Sequence, residues 1–558
     1  MKKLMLTLLL VSSAVLTAFA QDVPGKVLAS FPLTLKTPTG LAFDGSHLWL
    51  ADLDSATLNE LDPATGKVLR SIDAPGYAPM GLAWDGAKLW VLDASEKSVY
   101  ALDPKSGLTV KALPLDTDTP EGLAWDGSDL WMADAREGVI ARLDEQDGTT
   151  YLSVPCPTAN GPRKTQEIGM AVAGKFLYVS DRITDAIYRM DLKTGTLLDY
   201  FDAPGPYATG LAWDGNALWC ADYEARTLYK LEAATSAPYV TYNPKHEVVT
   251  FTEAWRNFGP GLVKTLDVYI AVPIDLPTQK LLKAPEFEPK PADFVTDEWG
   301  QKCAHFLFRD VKAGDEVRAV MKVEAEVRSV RWFIDPDNAG RLEEIPPDIK
   351  KQYTQDNSKL VMTDPVIQNA VKEAVGGEKN PYWIARKINR YIQDKMHYEM
   401  VGGWNVAPVV LARGSGSCSE YTFVMLAMCH AAGLPARYQG SVVIRGDDAS
   451  RDVDFHRWVE VYLPNYGWVP VDPSGGDSQV PIEQARCFGG LENRFLITTI
   501  GAGDSKTLGW NYNSDATWTA EGRVKLMQRK AGEWEPVGKK FEPRIKGEPG
   551  GLSCAPKG

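Results

Sequence analysis

The ten residues GLAFDGSHLW at positions 40–49 recur four more times in the first half of the chain. The copies read GLAWDGAKLW at 81–90, GLAWDGSDLW at 122–131, GMAVAGKFLY at 169–178 and GLAWDGNALW at 210–219. Successive copies start 41, 41, 47 and 41 residues apart, which is the period of a four-stranded propeller blade. In most copies an Asp-Gly pair between two apolar, β-rich runs predicts a tight hairpin. Each copy therefore predicts a small antiparallel sheet.

The two ends of the repeat array predict how it closes. The segment GKVLAS at 25–30 matches GKVLRS at 66–71, which ends a repeat, yet it precedes the first copy; the fifth copy lacks this strand. We expect the N-terminal strand to complete the last blade, so that the ring has no open sheet edge. The prediction is five blades, with six as the alternative if one copy is hidden. Because the Trp and Asp residues recur with the blade period, we interpret them as structural.

The remaining segments are divided by their composition and patterning. Residues 1–20 combine Lys2 and Lys3, an apolar run and a final Ala-Phe-Ala, which is typical of a secretory signal peptide. The propeller is predicted at 21–238, a β-sandwich with alternating strands at 239–340, a mixed α+β domain at 341–500, and a C-terminal β-rich extension at 501–558. We expect a secreted or periplasmic protein with no integral membrane segment in the mature chain.

Charge and cysteine content exclude some partners. The chain has 60 Lys and Arg against 73 Asp and Glu, a formal net charge of −13. This balance argues against nucleic acid or an anionic lipid surface, since both require a basic face. Seven cysteines in an exported chain leave one without a pairing partner. The cysteines lack the CxxC spacing of a zinc site, and we predict neither a metal nor a cofactor.

The segment GSGSCSEYTFVMLAMCHAAGLPAR at 414–437 carries the strongest chemical signal. A Gly/Ser loop gives way to an apolar helix that ends at Gly433 and Pro435, so Cys418 is predicted at the helix N-terminus. Free N–H groups at this end stabilise a thiolate, which lowers the pKa of the cysteine, and they also suit an oxyanion. Cys418 is therefore the candidate nucleophile.

Two later segments supply candidate partners for Cys418. They read DFHRWVEVYL at 454–463 and GWVPVDPS at 467–474. His456 opens one predicted strand and Asp472 ends the next, so an antiparallel pair would place the two side chains together. In that arrangement Cys418 attacks, His456 transfers the proton and Asp472 orients the imidazole.

Other residues of these types have simpler interpretations. Cys429 and His430 lie inside the apolar helix and are predicted as core residues. Trp458 and Trp468 are predicted as packing residues on the two strands. His397 is predicted as structural, whereas Tyr398 could lie near the site. Asp454 and Asp477 are alternatives to Asp472 if the strand register differs. The indole N–H of Trp404, fourteen residues before Cys418, could reach an oxyanion.

Taken together, these segments resemble the transglutaminase-like superfamily, whose papain-like core has a Cys-His-Asp triad. The resemblance covers residues 365–480 and includes the Cys at a helix start, GLPAR at the helix end, HRWVEVY and WVPVDP. It implies Cys418 as nucleophile, His456 as base and Asp472 as the orienting acid. One departure is that Ser419 separates the Cys from the acidic Glu420. The repeats resemble propellers of the NHL and YncE-like group, which bind ligands or partners on one face.

The resemblance implies an exported thiol enzyme that acts on amide bonds of peptides or proteins through a Cys418 thioester. The acceptor rather than the triad decides the outcome: water gives hydrolysis and an amine gives transamidation. We expect hydrolysis because the sequence identifies neither a lysine-binding site nor a calcium site, and protein-glutamine transamidation (crosslinking) is the alternative. An alternative of another class is a non-catalytic binding protein in which a protein or glycan ligand occupies the propeller face.

Overall fold

The computed structural model describes residues 23–158, 168–400, 404–446 and 449–538. The predicted signal peptide at 1–20 and the seventh cysteine, Cys554, lie outside the described residues. The chain folds as a β-propeller, a β-sandwich and an α/β module, in that order from the N-terminus. Within the described residues, no helix has the length and apolar character needed to cross a bilayer.

Twenty strands form five four-stranded antiparallel sheets, one for each copy of the repeat. The strands are β1 (Val27–Pro32), β2 (Pro38–Phe43), β3 (Leu48–Asp52), β4 (Thr57–Leu61), β5 (Val68–Asp73), β6 (Pro79–Trp84), β7 (Leu89–Asp93), β8 (Ser98–Leu102), β9 (Thr109–Pro114), β10 (Pro120–Trp125), β11 (Leu130–Asp134), β12 (Val139–Leu143), β13 (Thr150–Pro155), β14 (Met170–Ala173), β15 (Phe176–Asp181), β16 (Ala186–Asp191), β17 (Leu197–Asp202), β18 (Ala208–Trp213), β19 (Leu218–Asp222) and β20 (Thr227–Leu231). Because β1 pairs with β20, the N-terminal strand completes the last blade. The predicted five blades and their closure are confirmed.

The first glycine of each repeat lies where neighbouring blades meet around the central axis. A Cβ atom on any of these glycines would lie 2.2–2.9 Å from an atom of the next blade, which is too close for any side chain. The series ends with Gly210, whose added Cβ would meet the carbonyl oxygen of Thr39 in the first blade. The five glycines are Gly40, Gly81, Gly122, Gly169 and Gly210. The repeat thus keeps glycine because the blades approach through their backbones.

The recurring tryptophans are structural, as the periodicity indicates. In four blades the indole N–H donates to the carboxylate of the Asp-Gly turn five residues earlier, at 2.7–2.9 Å. The same carboxylates accept backbone N–H groups of their own turns. Each Asp therefore fixes both a turn and a buried ring.

The sandwich follows the propeller directly. Its strands are β21 (Tyr239–Asn257), β22 (Leu262–Ala271), β23 (Gln279–Leu281), β24 (Glu286–Glu288), β25 (Asp293–Thr296), β26 (Lys302–Val311) and β27 (Glu316–Trp332). The long strands β21 and β27 pair along almost their whole length, with apolar side chains turned inward at alternate positions. This alternation is what the sequence predicts for half-buried strands.

The α/β module packs helices against an antiparallel sheet. Two 3-10 turns, Pro336–Asn338 and Leu342–Glu344, lead into its elements. The elements of this part of the chain are α1 (Pro347–Tyr353), α2 (Pro365–Val375), α3 (Pro381–Lys395), β28 (His397–Tyr398), α4 (Ala407–Arg413), β29 (Ser415–Gly416), α5 (Cys418–Ala431), β30 (Ala436–Val443), β31 (Ser450–Asp452), β32 (His456–Leu463), β33 (Gly467–Val471), α6 (Pro481–Arg486), β34 (Gly490–Leu491) and β35 (Phe495–Gly501). Of these, β34 pairs with β27, and β31 lies in the same sheet of the sandwich. The sheet order is β33-β32-β30-β35, and α5 lies between this sheet and the other helices.

The last two described strands return to the sandwich. These are β36 (Ser514–Glu521) and β37 (Leu526–Pro536), which pair with β22 and β21 respectively. The sequence places them in a separate C-terminal extension at 501–558, but in space they complete both sandwich sheets. The sequence reasoning missed this because antiparallel pairing between residues 244 to 289 positions apart leaves no local signal. The other domain boundaries remain predictions.

The propeller is joined to the α/β module through its fourth blade. The guanidinium of Arg331 donates to the carbonyl and the hydroxyl oxygens of Tyr200, at 3.1 and 2.6 Å. Arg486 donates to the same hydroxyl at 2.9 Å, and Arg386 donates to the carbonyl of Leu198 at 2.7 Å. The buried Arg331 and the partly buried Arg386 and Arg486 therefore link β17 to the sandwich and to two helices of the module.

Candidate functional site

Cys418 is the first residue of α5, as the sequence predicts. Ser417 is the N-cap, in extended conformation, and the helix is buried on all sides from Cys418 to His430. Such a helix needs apolar residues around its whole circumference, which explains the run YTFVMLAMC. Its first N–H groups have no partner inside the helix, so they surround Cys418 with partial positive charge.

A buried carboxylate braces the loop in front of Cys418. Glu420 is fully buried, and it accepts hydrogen bonds from the backbone N–H of Ser417 and of Asn405, both at 3.2 Å. Arg413 lies 3.0 Å from the same carboxylate. Glu420 thus ties α4, the segment at Asn405 and the start of α5 together around the thiol.

His456 and Asp472 meet as the predicted strand register requires. Strand β32 pairs with β33 so that Val459 lies opposite Val471, which places His456 diagonally across from Asp472 on one face. The Nε2 atom of His456 lies 2.6 Å from Oδ2 of Asp472. The side chain of Cys418 hydrogen-bonds the same imidazole, and Nδ1 is the ring nitrogen left for it.

The turn that delivers His456 depends on a second buried carboxylate. Asp452 is fully buried and accepts the N–H groups of Val443, Asp454 and Phe455 at 2.8–3.2 Å. Phe455 has a φ of 58°, a left-handed conformation that costs about 1 kcal/mol or more in a non-glycine residue. The surrounding hydrogen bonds hold this strained residue directly before His456.

The carboxylate of Asp472 is fixed on its other side as well. Its Oδ1 atom accepts the N–H of Ser474 at 3.1 Å, the hydroxyl of Ser474 at 2.9 Å and the N–H of Gly475 at 2.8 Å. Each oxygen therefore has a defined role, since Oδ1 anchors the carboxylate and Oδ2 orients the imidazole.

These contacts set the protonation states of the three groups. Burial would raise the pKa of the Cys418 thiol, but the hydrogen bond to His456 and the charges of His456 and Arg457 hold this pKa below its ordinary value. Burial would lower the pKa of His456, but Asp472 and then Cys418 raise it to about 10. Burial also opposes ionisation of Asp472, yet His456, Gly475 and Ser474 lower its pKa. The geometry favours a thiolate, an imidazolium and a carboxylate.

Four of the other described cysteines behave in the opposite way. Burial raises the pKa of Cys156 to about 11 and that of Cys303 to about 12, and it also raises the pKa of Cys220 and Cys429. Cys429 and His430 lie in the core of α5, as predicted, and both ring nitrogens of His430 face backbone carbonyls.

The remaining candidates lie around the site in different roles. Tyr398 reaches it because β28 pairs in parallel with β29, directly before Cys418. Burial, followed by the charge of Cys418, raises the pKa of Tyr398 to about 12. Asp477 accepts the hydroxyl of Tyr421 at 2.7 Å, and the side chain of Asp454 is exposed, so neither takes the place of Asp472.

The tryptophans and the first histidine near the site differ in exposure and contacts. Trp458 is fully buried beside the ring of His456, and Trp468 packs edge-on against Tyr353 and Tyr462. Trp404 stacks on Tyr512. His397 is exposed.

Two other features lie apart from the three residues. A cavity of about 1580 Å³ separates the propeller from α3, and none of Cys418, His456 and Asp472 lines it. Among the described residues, Asp44, His47 and Glu60 form a group of potential metal ligands on the first blade. The Asp44 carboxylate already binds the indole N–H of Trp49 and two backbone N–H groups.

Sequence reasoning missed the supporting residues of the site. Asp452, Ser474 and the brace role of Glu420 act through backbone N–H groups, which leave no motif. Tyr512, which hydrogen-bonds the side chain of Ser419, lies 94 positions after Cys418 in a segment interpreted as an extension. Only the helix N-terminus and the strand pair carry a local signal.

Comparison with known proteins identifies the domain that contains this site. A model of the transglutaminase-like superfamily matches residues 368–473. A protein-glutamine gamma-glutamyltransferase of Pseudomonas aeruginosa is 30% identical over 135 residues, which cover 22% of this chain and 19% of that protein. An uncharacterised protein of Haemophilus influenzae is 24% identical over 274 residues, 43% of this chain and 72% of that one. This chain thus spans about a fifth of the Pseudomonas relative.

Two solved structures resemble parts of the chain. A putative cysteine protease of Cytophaga hutchinsonii aligns with 55% of this chain and 96% of its own, at 12% identity and a TM-score of 0.38. A glutaminyl cyclase of Myxococcus xanthus aligns with 37% of this chain and 94% of its own, at 16% identity and a TM-score of 0.33.

Proposed function

Because residues 368–473 form a transglutaminase-like domain, we propose that this protein is a thiol enzyme that cleaves amide bonds of peptides or proteins through a Cys418 thioester. The observation that supports this most strongly is the alignment of Cys418, His456 and Asp472, with the 2.6 Å contact between imidazole and carboxylate. A buried thiol without a catalytic role has no need of a charged imidazole beside it.

The proposed reaction begins with attack of the Cys418 thiolate on the amide carbonyl carbon. The C–S bond forms as the carbonyl becomes an oxyanion, which the N–H groups at the start of α5 stabilise. The imidazolium of His456 then donates its proton to the amine as the C–N bond breaks, which leaves a thioester. Neutral His456 next removes a proton from water, which attacks the thioester and restores the thiolate and the imidazolium. Asp472 keeps the imidazole in place throughout.

A second candidate is transamidation, in which an amine rather than water attacks the thioester. The similarity to the Pseudomonas gamma-glutamyltransferase favours it.

We also propose that the protein acts outside the cytoplasm on a protein substrate, and that the propeller face binds a protein or glycan ligand. The signal-like residues 1–20 and the repeat support these two proposals.

The test is one reaction that distinguishes both acceptors. The mature protein is incubated with a peptide mixture in heavy-oxygen water that contains a fluorescent primary amine. Hydrolysis places heavy oxygen in new carboxyl groups, whereas transamidation attaches the amine to side chains. Both products should disappear with Cys418→Ala and persist with Cys487→Ala, another buried cysteine. Products of equal amount with Cys418→Ala would exclude the proposed nucleophile.

A further inference from the structure

Arg457, the residue after His456, is a buried cation inside a cage of aromatic rings. It is fully buried, and its guanidinium carbon lies 4.3–5.5 Å from the centres of four aromatic rings. The rings belong to Trp404, Phe423, Tyr438 and Tyr512. Such faces attract a cation but do not neutralise it.

The hydrogen bonds of Arg457 are incomplete. One terminal nitrogen donates to the carbonyl of Trp510. The Nε and the other terminal nitrogen are buried without a hydrogen-bond acceptor, and among the described residues no carboxylate forms an ion pair with Arg457. A buried charge without a counter-ion is strongly destabilising, so its presence needs a compensating interaction.

The strand pairing and Tyr512 connect this cation to the segment that carries the thiol. Arg457 pairs with Gly440 across β30 and β32, and a Cβ atom on Gly440 would lie 2.5 Å from Tyr512. The missing side chain lets Tyr512 close the cage over Arg457. Tyr512 in turn hydrogen-bonds Ser419, the residue after Cys418. The cage therefore joins the start of α5 to the strand of His456.

The three groups of the site carry a net negative charge when Cys418 is ionised. Imidazolium and carboxylate cancel each other, so ionisation of Cys418 leaves one uncompensated negative charge in a buried site. We propose that Arg457 is a positioning residue that balances this charge and thereby stabilises the Cys418 thiolate, an inference that rests on the proposed thiol enzyme. The charge of Arg457 also favours a lowered pKa of Cys418.

The test measures the apparent pKa of Cys418 from the pH dependence of its alkylation by iodoacetamide in three variants of the full chain. Arg457→Lys retains the charge, Arg457→Met removes it with similar bulk, and Arg457→Gln removes it but can still donate to Trp510. We expect Arg457→Met and Arg457→Gln to raise the Cys418 pKa by at least about one unit. Below the pKa, this corresponds to a tenfold smaller fraction of thiolate. Arg457→Lys should change the pKa much less. Near-ultraviolet circular dichroism shows whether each variant folds. If Arg457→Met does not fold, Arg457→Gln provides the neutral variant.

The outcomes separate the two proposals. An unchanged Cys418 pKa in a folded neutral variant would overturn the role of Arg457 while leaving the thiol enzyme intact. If Arg457→Lys raised the Cys418 pKa as much as Arg457→Gln, the cage would act through packing and not through charge. If Cys418 of the unaltered protein has an ordinary or raised pKa, the proposed function itself fails.

Discussion

At the scale of residues, the site is a set of three coupled charges. The lowered pKa of Cys418 and the pKa of His456 near 10 define a pH window in which thiolate and imidazolium coexist. Below this window the thiol holds its proton, and above it the imidazolium loses one. Activity should therefore rise as pH increases through the Cys418 pKa and fall as pH approaches about 10.

Replacing the orienting carboxylate should move the alkaline limit of this window. Asp472→Asn removes the negative charge that is the strongest favourable influence on the imidazolium, so the pKa of His456 should fall and the alkaline limb should shift to lower pH. We expect kcat/KM at its optimum to fall by about 10²–10⁴-fold. The pH-rate profile measures both effects.

Asp454→Asn is the matched control, since it removes an exposed carboxylate two residues before His456. It should leave the alkaline limb in place. A shift with Asp454→Asn and none with Asp472→Asn would mean that the register assigned to the two strands does not govern the chemistry.

At the scale of elements, the start of α5 and the pairing of β32 with β33 follow from the sequence because both depend on neighbouring residues. A Gly/Ser loop before an apolar run fixes a helix start, and a short turn fixes an antiparallel register. The cage around Arg457 does not follow, since Trp404, Tyr438 and Tyr512 come from three separate segments. Nor does the pairing of β37 with β21, since only tertiary packing selects that partner.

The brace at the start of α5 should be a large contributor to stability. Glu420→Ala leaves two backbone N–H groups and the Arg413 guanidinium without their buried acceptor. We expect a loss of about 3 kcal/mol in the free energy of unfolding, together with slower alkylation of Cys418. Urea denaturation measures the free energy of unfolding.

The exposed pair Arg390 and Asp394 on α3 provides the comparison for this measurement. Asp394→Ala should change the free energy of unfolding by about 0.5 kcal/mol or less, because water screens such pairs. Equal losses of unfolding free energy in the two variants would show that the buried Glu420 contacts contribute no more to stability than an exposed ion pair.

At the scale of the whole molecule, the propeller is part of the packed structure and not a loosely tethered module. The Tyr200 hydroxyl is shared by Arg331 from the sandwich and Arg486 from the α/β module. The hydrogen bonds of Leu198 and Tyr200 in the fourth blade go to Arg331, Arg386 and Arg486 and do not involve Cys418, so this interface should affect stability more than chemistry.

Tyr200→Phe tests this separation. It removes the hydroxyl acceptor from two guanidinium groups, one of them buried, and should lower the free energy of unfolding by about 1–3 kcal/mol. The kcat measured on any substrate found should stay unchanged. Tyr77→Phe, at a side chain that is 82% exposed, should alter neither quantity. A strong loss of kcat without loss of stability would instead place the fourth blade in the reaction.

The most direct test of the central claim is the rate of iodoacetamide labelling of folded protein between about pH 5 and pH 9, with the labelled residue identified by mass spectrometry. The account predicts fast labelling confined to Cys418, with an apparent pKa below the ordinary value of a thiol, and a return towards that value in His456→Ala. Slow labelling of Cys418, or a profile that His456→Ala does not change, would contradict the ion pair on which the proposed function rests.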